Sequence, residues 1–133
     1  MRVTLDTNIY VSALHFGGKP MQLLEMELDG RIQIAVSQPI IDESLRVLRE
    51  KFQWLDADLG DARMVIEACA HVWATAETLD VIKHDPQDNR ILECAQASGS
   101  EFIVSGDKDL LRLATFGGAR VVKAAEFLVI ASA

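Results

Sequence analysis

Hydrophobic positions along this chain alternate between two spacings. Short apolar runs rich in β-branched residues predict strands, and they occur at residues 3–5, 32–36, 101–105 and 121–122, with a weaker candidate within 76–81. Between these runs, apolar residues recur at steps of three and four, which predicts helices with one buried face. Strands separated by helices predict a parallel sheet with helices on both faces. We therefore expect a single α/β domain over residues 1–133.

The longest helical pattern lies in the middle of the chain. Its apolar residues step by four and three from Leu55 through Cys69 to Trp73, which predicts one long amphipathic helix. Asp85-Pro86 predicts the start of a later helix that ends near Gly99, because proline is favoured in a first helical turn.

Four acidic residues fall at equivalent places in this alternation. Asp6 directly follows the first strand, and Asp107 follows the strand at 101–105 by one glycine. Glu43 and Asp88 lie in the early turns of helices. In right-handed βαβ units the strand C-termini and the helix N-termini share one edge of the sheet. The four carboxylates are therefore predicted to meet at one rim, where open α/β sheets bind their ligands.

Helical register predicts that two of these acids face inward. Asp88 lies three and four residues before Ile91 and Leu92, so it belongs to the buried stripe of its helix. Glu43, four residues before Val47, lies on a secondary apolar edge. The neighbouring charged residues are expected to point further outward: Asp42, Arg46 and Glu50.

Carboxylates that converge on one rim repel each other. This repulsion raises their pKa values and destabilises the fold unless a cation lies between them. Oxygen ligands at a small open site suit Mg²⁺ or Mn²⁺. Such metals orient a phosphodiester and help to convert water into a nucleophile.

Composition and charge narrow the possible functions. The formal net charge of −7 argues against a protein that holds nucleic acid by its general electric field, so such a partner would be held locally. No apolar run approaches the roughly 18–20 residues of a membrane span. The start of the chain lacks a signal-peptide pattern, and the cysteines, Cys69 and Cys94, lack metal-type spacing. We expect a cytoplasmic protein with reduced, buried thiols and no membrane partner.

Each acid also has a simpler explanation. Asp88 is favoured in a first helical turn by the helix dipole, and Asp107 and Asp109 are able to cap a short helix. Glu43 alone suits a solvated helix surface, and an aspartate after a strand is common in α/β proteins. Capping does not explain why all of them occur on one predicted edge.

Four segments in order resemble the motifs of PIN-domain nucleases. They are Leu5-Asp6-Thr7-Asn8, Ile41-Asp42-Glu43, Asp85-Pro86-Gln87-Asp88-Asn89 and Ser105-Gly106-Asp107-Lys108-Asp109-Leu110-Leu111. The segment Val121–Leu128 is similar to the C-terminal strand and helix of that family. The chain most resembles the small PIN proteins of the VapC kind, the toxins of toxin–antitoxin pairs.

The resemblance implies a three-layer α/β/α sandwich with a mostly five-stranded parallel sheet, and a Mg²⁺- or Mn²⁺-dependent endoribonuclease. It implies that Asp6, Glu43, Asp88 and Asp107 form the catalytic, metal-binding cluster with Asp109 as a fifth metal ligand. Thr7, Asn8 and Ser105 match polar positions that orient the site or bind substrate. It further implies an RNA substrate, a homodimer and a cognate antitoxin. Lys108 and Arg90 lie near the predicted rim, but no motif supports them individually.

Three other interpretations remain. A haloacid-dehalogenase-type phosphatase needs a second aspartate two residues after Asp6, where this chain has Asn8. A receiver domain needs an acceptor aspartate at the end of a middle strand, whereas the second strand ends in Val36-Ser37. The third is a PIN fold that works as a binding module with little or no activity.

Overall fold

A six-stranded sheet lies at the centre of residues 1–132, which the computed structural model describes. Its strands are β1 (Arg2–Leu5), β2 (Gln33–Val36), β3 (His71–Val72), β4 (Phe102–Val104), β5 (Thr115–Phe116) and β6 (Ala119–Val122). Their order across the sheet is β3-β2-β1-β4-β6-β5. The first five strands in that order are parallel, and β5 pairs with β6 in the antiparallel sense. The central strands are buried on both faces, which is why they read as continuous apolar runs.

Helices cover both faces of the sheet. They are α1 (Thr7–His15), α2 (Gly18–Leu28), α3 (Gln38–Phe52), α4 (Asp56–Cys69), α5 (Pro86–Ser98), α6 (Lys108–Leu113) and α7 (Ala124–Ser132). Right-handed crossovers place α1 to α4 on one face and α5 and α6 on the other. Helix α7 packs against α2, on the first face. The result is the three-layer α/β/α sandwich with five parallel strands that the resemblance implied.

The strand order reverses between β1 and β4. From β1 the chain moves outward through β2 to β3, and then returns to the other side of β1 as β4. Adjacent strands whose connections leave in opposite directions form a crevice at their C-terminal ends. Asp6 and Ser105, which directly follow β1 and β4, therefore lie at the mouth of this crevice.

The middle of the chain differs from the sequence prediction in two places. Helix α4 ends at Cys69 rather than continuing to Trp73, and the next residues form β3. The apolar side chain at position 73 has another explanation: Trp73 packs against the core at the sheet edge, and the Arg2 guanidinium lies 4.8 Å from its ring centroid. The weak strand predicted within 76–81 is wrong, because that segment has no regular secondary structure.

The short strand β5 was not predicted. It forms a hairpin with β6 through a tight turn in which Gly117 has φ of +58°, a value that favours glycine. Two residues are too few to show a strand periodicity in the sequence.

The cysteines are free and buried, as predicted. Burial raises the pKa of Cys94 to about 11, so its thiol is protonated at neutral pH. Among residues 1–132, no helix combines the length and the apolar character needed to cross a membrane.

Candidate functional site

Asp6 is fixed where β1 passes into α1. Its backbone N–H donates to the Val104 carbonyl at 2.9 Å, which continues the pairing of β1 with β4 by one residue. Its side chain is buried, and Oδ2 accepts a 2.6 Å hydrogen bond from the Ser105 hydroxyl. Burial raises the pKa of Asp6 above its ordinary value, and the Ser105 hydrogen bond partly offsets that rise.

Ser105 also connects Asp6 to the loop after β4. The Ser105 Oγ atom accepts a hydrogen bond from the Asp107 backbone N–H at 2.9 Å. Asp107 in turn caps α6, because its Oδ1 atom accepts from the N–H groups of Asp109 and Leu110 at 2.9 and 3.1 Å. The hydroxyl therefore positions two of the predicted acids relative to each other.

Helix α5 brings two more carboxylates to the same place. Asp85 caps the helix by accepting from the Gln87 N–H at 3.1 Å, and Asp88 lies in the first turn. Asn89 fixes the preceding loop: its Oδ1 atom accepts from the N–H groups of Val81 and Ile82, at 2.9 and 2.8 Å. The side chain of Asn89 thus holds the start of α5 in place.

Asp85, Asp88 and Asp107 each offer one oxygen atom, and these atoms lie within 4.8 Å of one another. Asp88 is only 5% exposed, and its Oδ2 atom is buried without a hydrogen-bond partner in residues 1–132. A buried, unpartnered carboxylate oxygen is costly unless it is protonated or binds a cation. An all-oxygen donor set suits Mg²⁺ or Mn²⁺ better than a softer metal. The residues present therefore fit a hard divalent cation.

The electrostatics of Asp88 reflect the same crowding. Burial, and then the negative charges of Asp107 and Asp85, raise the pKa of Asp88 to about 8. Without a cation, this carboxyl is protonated over much of the neutral pH range. The bound proton removes the negative charge of Asp88, which a metal ion would otherwise offset.

A cleft of about 260 Å³ joins this cluster to α1 and α3. We call it the acidic cleft, after the five carboxylates that line it: Asp6, Glu43, Asp85, Asp88 and Asp107. Its α3 wall also carries the cationic side chains of Arg46 and Lys51. The Glu43 side chain is 10% exposed and forms an ion pair with Arg46, which also contacts Glu50 at 2.5 Å.

Most of the sequence-predicted residues meet in the acidic cleft. Asp6, Glu43, Asp88 and Asp107 line it together with Thr7 and Asn8, and Ser105 is buried behind Asp6. Asp109 does not line the cleft: its carboxylate contacts Arg112 at 3.1 Å and His84 at 3.8 Å.

Sequence reasoning missed three charged residues of the cleft. Asp85 was predicted only to mark the start of α5. Its position as the cap residue, three residues before Asp88, could have indicated that the two carboxylates lie side by side. Lys51 was missed although it lies two four-residue steps after Glu43 on α3. Arg46 was expected to point outward; it is 53% exposed, but its guanidinium folds back onto Glu43.

A family model described as "PIN domain" matches residues 2–109. The chain belongs to the PIN domain family. No curated protein shows a significant match to the chain. The matched range contains all five acids of the cleft, so the cleft belongs to the PIN domain itself. PIN domains are generally nucleases that use divalent metals, and membership therefore supports a hydrolase whose candidate active site is the acidic cleft.

Proposed function

We propose that this PIN domain, over residues 1–133, is a metal-dependent endoribonuclease that acts at the acidic cleft. One observation carries the proposal: three carboxylates offer oxygens within 4.8 Å of one another, and one of them has a buried oxygen that finds no hydrogen-bond partner among residues 1–132. Capping accounts for Asp85 and Asp107, which accept backbone hydrogen bonds, but it leaves this Asp88 oxygen unexplained.

In this proposal Asp85, Asp88 and Asp107 hold a Mg²⁺ or Mn²⁺ ion, and Asp6 and Glu43 face the same cleft. Such a cation, when bound, supplies Lewis-acid chemistry: it makes water more acidic and offsets negative charge on a phosphodiester. Asp109, implied by the resemblance as a further ligand, pairs with Arg112 at 3.1 Å and lies outside the cleft lining.

The protein groups have separate roles. Asp6, which lines the cleft and is held by the Ser105 hydroxyl, is the carboxylate to which we assign acceptance of a proton from water. Thr7 and Asn8 begin α1 at the cleft, where the positive end of the helix dipole favours a phosphate group. The buried walls behind Asp6 and Asp88 keep these carboxylates in fixed positions.

RNA as the substrate, and a role as the toxin of a toxin–antitoxin pair, follow from the resemblance to PIN proteins of the VapC kind. We propose the corresponding partners on the same basis: an RNA substrate, a cognate antitoxin and a second copy of the chain in a homodimer. Function in the cytoplasm belongs to the same proposal.

A PIN fold that binds without cutting is the second candidate. The ion pair between Glu43 and Arg46 favours this binding module, because the Arg46 guanidinium already neutralises one of the cleft carboxylates. Metal dependence separates the two, since only the nuclease requires the cation for a chemical step.

The test is cleavage of a mixed RNA pool by the purified protein in EDTA, Mg²⁺ or Mn²⁺, beside Asp6→Asn. We expect cutting that requires metal and disappears in the variant. Undiminished cutting in EDTA, or equal cutting by Asp6→Asn, contradicts the proposal. A folded wild-type protein that cuts nothing in either metal favours the binding module.

A further inference from the structure

Within residues 1–132, seven of the thirteen Lys and Arg side chains of this acidic protein form ion pairs with carboxylates. In α3 and α4, for example, Arg49 contacts Asp56 at 3.2 Å and Arg63 contacts Asp42 at 3.5 Å. With a formal net charge of −7, the protein as a whole repels a polyanion. Apart from a bound metal ion and the start of α1, attraction for a nucleic-acid backbone must therefore come from individual cations that have no internal partner.

Lys51 is such a cation, and it lines the acidic cleft. Arg46, the other cation there, is held by Glu43 and Glu50. Lys51 is exposed and makes no ion pair with any carboxylate in residues 1–132. Lys19 is likewise exposed and unpaired within that range, but it lines a separate groove between α2 and α7.

The position of Lys51 on α3 limits what its ammonium group contacts. Glu43, Val47 and Lys51 follow each other at four-residue steps and all line the cleft. Eight residues at a rise of 1.5 Å place Lys51 about 12 Å further along α3 than Glu43. A phosphate held at the carboxylates is thus separated from Lys51. The Lys51 ammonium group is placed instead to contact the next stretch of a continuous nucleic-acid backbone.

We propose that Lys51 binds a backbone phosphate flanking the phosphodiester held at the carboxylates. The inference rests on the proposed function for its choice of ligand, a single-stranded RNA. It assigns the strand a path along α3, from the carboxylates toward the C-terminal end of that helix. Lys51 is a substrate-binding residue in this scheme and takes no part in proton transfer.

A structural role is the simpler alternative, because a lysine in the last turn of α3 is favoured by the helix dipole. A stabilising lysine affects the melting temperature, whereas a phosphate contact affects the salt dependence of RNA binding. The two roles therefore predict different measurements.

The experiment measures binding of a fluorescently labelled single-stranded RNA by anisotropy, with Mn²⁺ and a series of salt concentrations. The parent is Asp6→Asn, so that cutting does not interfere, and it is compared with Lys51→Met, Lys51→Arg and Lys19→Met on that background. Both Met variants remove one positive charge from an exposed helical lysine, so Lys19→Met controls for net charge.

One lost phosphate contact reduces the slope of log affinity against log salt by about 0.7 for a single strand, or about five-fold in affinity at 0.1 M salt. We expect this change for Lys51→Met, substantial recovery in Lys51→Arg, and parental values for Lys19→Met. Equal slopes for the two Met variants, or a parent that binds no RNA, overturn the inference.

The cleavage assay keeps this result separate from the proposed function. If the wild-type protein cuts RNA and the two Met variants bind equally, only the role of Lys51 fails. If RNA binding depends on Lys51 but no metal supports cutting, the nuclease fails while the phosphate contact remains.

Discussion

Helices α4 and α5 begin with similar acidic sequences but place them in opposite environments. Asp56 and Asp58 lie in the first turn of α4, and Asp85 and Asp88 cap and begin α5. The Asp56 side chain is 92% exposed and contacts Arg49. Asp88 is buried, faces Asp85 and Asp107, and leaves one oxygen unpartnered in residues 1–132.

The difference arises from tertiary structure rather than from the helices themselves. Both pairs of acids are favoured by the helix dipole at an N-terminus. Only α5 starts beside the loop after β4, where Asp107 adds a third carboxylate. First-turn acids are therefore solvated in α4, whereas acids at the equivalent positions of α5 are candidate metal ligands.

The largest expected effect is on the rate of RNA cleavage, which should depend on the acids of α5 but not on those of α4. Asp88→Asn should lower RNA cleavage by roughly 100-fold or more, because an amide is a neutral and weaker ligand for a divalent cation. Asp58→Asn, the same change in α4, should leave the rate unchanged. Initial rates in Mn²⁺ at matched protein concentration test this, and similar losses in both variants would remove the distinction.

The next effect concerns the pH dependence of stability without metal. Because the pKa of Asp88 is raised to about 8 in the folded protein, the folded state binds more protons than the unfolded state between about pH 4 and pH 8. In EDTA, the contribution of Asp88 to the free energy of unfolding should therefore fall as pH rises through that range.

Asp88→Asn should flatten this decline and melt at the same temperature as the wild-type protein or higher at pH 8. Each kcal/mol corresponds to roughly 3–5 °C for a domain of this size. Asp58→Asn should retain the wild-type slope. Thermal melts from pH 4 to pH 9 measure both, and a variant Asp88→Asn that unfolds more readily at pH 8 would favour a purely structural role for Asp88.

A smaller loss is expected from Ser105→Ala. The substitution removes the hydroxyl that donates to Asp6 and accepts from the Asp107 N–H. Hydrogen bonds to charged groups contribute about 1.5–3 kcal/mol, so we expect a loss of that order and weaker cleavage. Ser98→Ala, which removes a buried hydroxyl bonded to Ser100, is the matched control and should leave cleavage intact. Urea unfolding and cleavage rates of the two variants decide the point.

The smallest effect is expected in α4. Asp56→Asn breaks an exposed ion pair with Arg49, and such pairs contribute about 0–1 kcal/mol. The free energy of unfolding should change by less than about 1 kcal/mol and should become less sensitive to salt. A larger loss in urea unfolding would show that α4 depends on its acids more than their exposure indicates.

The sequence was sufficient to predict strands β1, β2, β4 and β6, the flanking helices and the convergence of acids at one rim, but not the short edge strands β3 and β5. The predicted features depend on local periodicity and on the handedness of crossovers, which a single chain reveals. The end of α4 was not predictable in this way, because Trp73 matches the helical spacing although it lies half-buried at the sheet edge.

Two residues could be assigned to the cleft only once the fold was known. Asp85 has the sequence signature of a helix cap, and only its proximity to Asp107 makes it a candidate ligand. Lys51 lies well beyond the motif that contains Glu43, and the cleft it lines is formed by α1, α3, α5 and the loop after β4. Asp109 shows the reverse: its motif position suggested the cluster, but its carboxylate pairs with Arg112.

The most direct test of the metal centre is calorimetric titration of Mn²⁺ into the metal-free wild-type protein, Asp88→Asn and Asp58→Asn. The affinity of the wild-type protein should increase as pH rises toward 8, since binding must displace the proton from Asp88. We expect the wild-type protein and Asp58→Asn to bind alike and Asp88→Asn to bind at least about ten-fold more weakly. Undiminished binding by Asp88→Asn, or no binding by the wild-type protein, would contradict a metal centre at the start of α5.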